Sequence, residues 1–198
     1  PPPGYPREWW MEVPVSDRAS WEILPQEAEP GEVIVSKRTA LGVFSNLSAA
    51  AFQFEGQSYA SLEGLWQMLK YPEENDLRDP RKRSRDWPYA RSQVAGLSGF
   101  EAKRAGDKAN EILKQLGIKW VSYKGRRFEY KDGADGSAFH YELILGATRE
   151  KIRQNPELSA LLRRTRGLKL RMDHRVGEND PPAYRTAEIL MKIREEIR

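Results

Sequence analysis

The segment Ser61-Leu-Glu-Gly-Leu-Trp-Gln-Met-Leu-Lys70 constrains the fold more than any other. Leu62, Leu65, Trp66 and Leu69 recur at helical spacing, and Glu63, Gln67 and Lys70 fall at i, i+4 and i+7. The pattern predicts a helix with one apolar flank in the core, opened by Ser61 as its N-cap. At ~100° and ~1.5 Å per residue, Glu63 and Lys70 share an azimuth but stand roughly 10 Å apart along the axis. That separation is too long for a direct ion pair and suits the bracketing of a small ligand. The polar stripe is therefore either the wet face of an amphipathic helix or the lining of a pocket.

The chain has 198 residues, 39% hydrophobic and 31% charged, a composition that fits a globular domain with a substantial core. It has no apolar run near the ~20 residues that span a bilayer, and no signal-peptide pattern is read at its start. The expectation is a soluble, cytoplasmic protein. With no cysteine, disulfides, thiolate nucleophiles and cysteine-based zinc sites are excluded. His140 and His174 have no second histidine at ligand spacing, so no metal and no cofactor are expected. Chemistry is left to carboxylates, amines, hydroxyls and amides.

The formal charge of +4 is concentrated in Arg78-Asp-Pro-Arg-Lys-Arg-Ser-Arg85, in residues 119–127 and in residues 163–175. Trp87, Tyr89, Trp120 and Tyr123 lie near the first two clusters. Such surfaces suit a phosphate-bearing partner, a nucleotide or a nucleic acid, and equally serve as solvated faces.

Residues 1–30, with many prolines and with Trp9, Trp10 and Trp21, read as an irregular arm that packs on a domain formed by residues 31–198. Short strands are expected at residues 32–37 and 52–55, and Pro72 should close the Glu63 helix. Further helices are expected at residues 86–94, at 98–115 with a Ser98/Glu101 capping box, at 138–153, after Pro156, and at 183–197. Residues 119–130 read as a hairpin of alternating aromatic and basic side chains, followed by a glycine-bearing loop to Gly136. This is taken as an insertion spanning residues 119–136. Gly167-Leu-Lys-Leu-Arg-Met172 is a strand candidate.

Three groups of residues resemble the NADAR family, the YbiA-like N-glycosidases. Leu41-Gly-Val-Phe-Ser-Asn-Leu47, with Phe52, Gly56, Tyr59, Ser61, Glu63, Gln67 and Lys70, is similar to that family's "G-x-L-S-N-F", "F-x-x-x-G-x-x-Y-x-S" and "E-x-x-x-Q-x-x-K". Ala102, Lys103 and Gly106 match its "A-K-x-x-G". Lys151, Gln154, Asn155, Pro156, Leu158, Leu162 and Thr165 match its "K-F-x-Q-N-P-x-L-x-x-x-L-L-x-T". The late pattern departs: Asp173-His-Arg-Val-Gly177 lacks the family's tryptophan, the following glycine and asparagine are replaced, and only Leu190, Met191 and Arg194 keep the closing "L-M-x-x-R". A tryptophan ahead of the residue 138 helix is also absent, unless Phe139 or Trp120 substitutes for it.

The resemblance implies an α+β, mainly helical, YbiA-like fold with a small antiparallel sheet near residues 33–54 and a pocket between that sheet and the Glu63 helix. It implies an N-glycosidase acting on a phosphorylated ribosyl or ADP-ribosyl substrate, such as ADP-ribosylated guanine or an intermediate of the riboflavin type. Glu63, Lys70 and Asp173 would be catalytic, with Lys70 attacking the anomeric carbon or clamping charge. Phe44, Ser45, Asn46, Trp66, Gln67 and Lys103 would bind substrate. Each has a plainer alternative: core for the aromatics, a local turn for Ser45 and Asn46, and a surface acid or cap for Asp173. Two other functions stay open, a catalytically silent ADP-ribose or nucleotide sensor and a nucleic-acid-binding domain; the glycosidase and the nucleic-acid reading coexist if the substrate is a modified base within DNA or RNA.

Overall fold

The computed structural model describes residues 1–131 and 134–198, so Asp132 and Gly133 of the expected glycine-bearing loop lie outside the described residues. The chain divides into two compact units, one of Pro1–Ser45 with Asn155–Arg198 and one of Asn46–Gln154. Its class is α+β, with short strands and mostly helical regular structure, as the sequence predicts.

In the first unit, strand β1 (Glu32–Val35) pairs in parallel with a strand from the far end of the sequence, Lys169–Met172, with Val33 opposite Leu170 and Val35 opposite Met172. Every β1 residue is buried, which fits the unbroken apolar run Val-Ile-Val. Glu32 is carried into this core by an ion pair with Lys169 at 2.7 Å. Two helices, Pro156–Arg164 and Thr186–Glu196, complete the unit. Residues 1–30 form three short 3-10 turns that belong to it. Trp9 is fully buried there, and the Trp10 indole N–H donates to the Glu32 carbonyl at 2.9 Å. Trp21 is exposed under the Lys37 ammonium.

The second unit holds a β2–β3 hairpin (Phe52–Phe54, Gln57–Tyr59), helix α1 (Leu62–Met68), α2 (Arg91–Ala95), α3 (Gly99–Leu116), a β4–β5 hairpin (Val121–Tyr123, Arg126–Phe128) and α4 (Ala134–Gln154). The small antiparallel sheet is thus the β2–β3 hairpin. Strand β1 lies outside it, because it finds its partner by a long crossover.

Helix α1 packs against β3, α2, α3 and α4. The Ser61 hydroxyl accepts from the Gly64 N–H at 2.9 Å and donates to the Leu97 carbonyl at 2.8 Å, so the expected N-cap forms and also ties the helix to the loop ahead of α3. Gly64 lets that loop approach: a Cβ there would stand 2.6 Å from the Leu97 carbonyl oxygen. The Ser98/Glu101 capping box does not form. The Gly99 N–H goes instead to the Leu47 carbonyl at 2.7 Å, and Glu101 accepts from the Tyr89 hydroxyl. Backbone from another segment has taken the place of the side-chain cap.

Candidate functional site

Helix α1 ends at Met68, two residues before Lys70. Lys70 sits in a tightened turn, its N–H bonded to the Gln67 carbonyl at 3.1 Å and the Tyr71 N–H to the Met68 carbonyl at 3.0 Å. The ideal-helix projection therefore holds for Glu63 and Gln67 and breaks at the lysine. Gln67 Nε2 donates to Glu63 Oε1 at 2.7 Å, fixing the carboxylate of this half-buried residue. Gln67 Oε1 has no hydrogen-bond partner among the described residues and faces Gly106 of α3. A Cβ on Gly106 would lie 2.0 Å from that oxygen, so the absent side chain on α3 is what gives Gln67 its place.

Lys70 is 4% exposed. Burial pushes its amine down to about 8 against the opposing pull of Glu63 and Asp107, and Lys131 adds to the lowering. The ammonium stands 5.3 Å from the centre of the Trp66 ring. Trp66 stacks on His140 of α4 at 4.4 Å and meets Tyr130 edge-on at 4.7 Å, so aromatic groups from three segments form one wall beside the amine. Burial, with a contribution from Lys70, drives His140 down to about 3, leaving a neutral imidazole at physiological pH.

A cavity of about 470 Å³ opens at Lys70, within the size range of small-molecule sites. Its other walls come from the end of α3 (Asn110, Leu113, Lys114), the connection through Trp120, and the stretch from Glu129 to Lys131. Lys114, Lys119 and Lys131 line it with Lys70, and among the described residues Glu129 is the one carboxylate of the lining. This cavity lies against α3 and the β4–β5 hairpin, not between the β2–β3 sheet and α1 as expected.

Within the second unit the structure brings Glu63, Trp66, Gln67 and Lys70 together; the other expected site residues take other places, each within its own unit. Phe44 is a buried core side chain of the first unit. Ser45 and Asn46 are half-buried, the one ending the first unit's N-terminal stretch and the other opening the second unit in sequence, and the Asn46 carbonyl accepts the Glu63 N–H at 2.9 Å. Lys103 is exposed on α3 and does not line the cavity. Asp173 belongs to the first unit, where its carboxylate accepts the Lys37 N–H at 3.2 Å and meets His174 Nδ1 at 3.1 Å. Asp107, His140, Tyr130, Lys131, Lys114 and Lys119 are the residues that reading the sequence missed. For Lys119 and Tyr130 the basic-aromatic alternation of residues 119–130 was a local signal; Asp107, Lys114 and His140 had none. Phe139 packs on Phe128 and carries the Arg126 guanidinium at 3.9 Å, while Trp120 lies under the guanidiniums of Arg81 (4.7 Å) and Arg127 (4.2 Å). Of the two, only Trp120 lines the cavity.

Behind Lys70 lies a polar knot. Arg81, fully buried, makes a two-pronged ion pair with Asp79 (Nε–Oδ1 3.0 Å, Nη2–Oδ2 2.8 Å) and donates to the Leu69 carbonyl at 3.0 Å and the Ser122 hydroxyl at 2.6 Å. Arg91 donates to the Tyr71 carbonyl at 2.7 Å and the Ser122 carbonyl at 2.6 Å, with Glu73 at 3.4 Å. Arg81, expected on a basic surface that is either phosphate-binding or merely solvated, is an interior group.

No family model matches the chain, and no curated protein matches it. Among solved structures, the NMR structure of the E. coli protein YbiA aligns with 81% of this chain and 80% of its own, with a TM-score of 0.50 and 20% sequence identity. The chain has a YbiA-like fold.

Proposed function

We propose that the protein is an N-glycosidase that hydrolyses the bond between a ribosyl carbon and a base nitrogen, on a phosphorylated ribosyl or ADP-ribosyl substrate. The observation that carries this reading is the buried amine of Lys70 at a ligand-sized cavity, with Glu63 held in its electrostatic neighbourhood. An amine lowered to about 8 leaves roughly one molecule in ten neutral at pH 7, enough for a nucleophile. The YbiA-like fold and the family resemblance of the α1 segment point the same way.

In the proposed reaction the Lys70 amine attacks the anomeric carbon as the carbon–base bond breaks. Glu63, beyond ion-pair distance of Lys70, takes by way of a water the proton that the nitrogen sheds and returns it to the departing base. The glycosylamine opens to an imine, its ring oxygen taking a proton, and water then releases the free sugar and the amine. Net, one water is consumed and the base leaves protonated. Gln67 holds the carboxylate through its 2.7 Å hydrogen bond. Lys114, Lys119 and Lys131 supply the positive charge that a phosphorylated sugar requires.

Mass spectrometry of base release from ADP-ribosylated guanine and from phosphoribosyl N-glycosides tests the reading. Turnover should fall by a factor on the order of a thousand in Glu63→Gln. Tight ADP-ribose binding with no product from any of these compounds would instead identify a sensor.

Gly106→Ala separates site geometry from stability. Its new Cβ displaces the flexible end of Gln67 and costs the Glu63 carboxylate its hydrogen bond. Alanine also suits the helix better than glycine by about 1 kcal/mol. The expected outcome is a melting temperature within a few degrees of the parent with base release lowered on the order of tenfold to a hundredfold.

A further inference from the structure

We propose that Arg81 and Arg91 are positioning residues for the Lys70 amine, and that Ser122 makes the β4–β5 hairpin part of the same device. The inference rests on the reading of Lys70 as the working amine. It starts from the two peptide carbonyls that flank this residue. A helix end leaves carbonyls without intrahelical partners, and a glycine cap or water commonly satisfies them. Here the Leu69 carbonyl takes Arg81 Nη1 at 3.0 Å and the Ser122 N–H at 3.0 Å, and the Tyr71 carbonyl takes Arg91 Nη1 at 2.7 Å. With a buried guanidinium on each side, the backbone of Lys70 is fixed and so is the direction in which its side chain leaves it.

The clamps are themselves held. Asp79 grips Arg81 through both carboxylate oxygens, and the Ser122 hydroxyl accepts from Arg81 at 2.6 Å while donating to Glu73 at 2.9 Å. Glu73 also accepts the N–H of Gly125 at 3.1 Å, in the hairpin turn. One serine thus joins the strand that leads from the cavity to both arginines. Burying two guanidiniums is costly, and desolvation lowers Arg91 to about 10. A helix end that needed only satisfied carbonyls would not require that cost.

The clamp's effect should be read at the amine. Lys70 is kept where burial outweighs the pull of Glu63 on α1 and Asp107 on α3, with Lys131 after β5 repelling it and the neutral His140 on α4 nearby. Released from the clamp, the flexible side chain can swing its ammonium to water. An internal reference exists in Lys151 of α4, which is 2% exposed and which burial also lowers to about 8.

The experiment is a pH titration of the ¹³Cε resonances in lysine-labelled full-length protein, with Lys70→Arg assigning the signal. In Arg91→Met the Lys70 midpoint should climb from about 8 toward the ordinary lysine value of about 10.5, by more than one pH unit, while Lys151 stays in place. A rise of one unit lowers the neutral amine at pH 7 about tenfold. Arg91→Lys should show a smaller rise, since an ammonium can reach one carbonyl but cannot span two. Equal movement of Lys70 and Lys151, or a Lys70 midpoint unchanged in a folded variant, would overturn the proposal. If Arg91→Met fails to fold, Ser122→Ala decides by removing a single hydroxyl: a rise confined to Lys70 supports the clamp and none refutes it. Absence of base release would remove the proposed function and leave this titration unaffected.

Discussion

Lys70→Met is expected to abolish base release and, at the same time, to raise the melting temperature. The two effects share one cause. Water is excluded from a group that is charged in most molecules at neutral pH, and Glu63 and Asp107 compensate only in part. The displacement from 10.5 to about 8 corresponds, at ~1.4 kcal/mol per pH unit, to roughly 3 kcal/mol that the fold bears below pH 8. Methionine has a similar length and no charge, so it should return much of that as a rise of about 5–10 °C. Because the folded value lies below the unfolded one, the unfolded chain holds more protons between about 8 and 10.5, and stability rises with pH across that window. The advantage of the variant should therefore shrink as pH climbs from 8 toward 10. Tyr59, pushed up to about 12 by burial, opposes the trend above pH 10, so the comparison belongs below that value. Thermal melts of both proteins from pH 6.5 to 9.5, with base release measured in parallel, check it. A variant less stable than the parent at pH 7 would contradict the account.

Asp79→Ala is expected to be the most destabilising substitution in the second unit. It strands the fully buried Arg81 guanidinium and removes the acceptor of the Arg81 and Glu73 backbone N–H groups, at 2.9 and 2.8 Å. Breaking a buried ion pair from one side costs on the order of 3–5 kcal/mol, because the remaining charge has no partner. Removing both charges avoids that cost, so Asp79→Leu combined with Arg81→Met should lose less stability than Asp79→Ala alone. Urea denaturation of the three variants tests the sign of this coupling. A double variant at least as unstable as the single one would show that the charge pair is not what Asp79→Ala breaks.

Local pattern made several elements readable in advance. The Ser61 cap, the apolar flank of α1, the long helix within residues 98–116, the helix after Asn155-Pro156 and the hairpin within residues 119–130 each depend on neighbours a few positions apart. Parallel pairing of β1 with Lys169–Met172 depends on contacts across most of the sequence, and nothing in Glu-Val-Ile-Val announces its partner. The same limit governs charge. Arg81 stands in the run Arg78-Asp-Pro-Arg-Lys-Arg-Ser-Arg85, whose composition describes a wet basic surface, yet the local Asp79 and the remote Ser122 and Leu69 carbonyl turn this one arginine inward. In the candidate site, Glu63 and Gln67 were legible because they share a regular helix. The cavity walls and the aromatic stack beside Lys70 were not, since Lys114, Tyr130 and Lys131 of the one and His140 of the other arrive from three segments that only the tertiary fold assembles. Asp173 was chosen for its place in a motif, and its carboxylate is engaged with the Lys37 N–H of its own unit.

The central claim is that the Lys70 nitrogen meets the sugar carbon from which the base departs. Borohydride added during turnover of a cleaved N-glycoside reduces an imine to a stable amine, and peptide mass spectrometry locates it. The account predicts a sugar-sized adduct on Lys70, absent from Lys70→Arg. Base release that proceeds undiminished in Lys70→Arg, with no adduct on the parent protein, would contradict it.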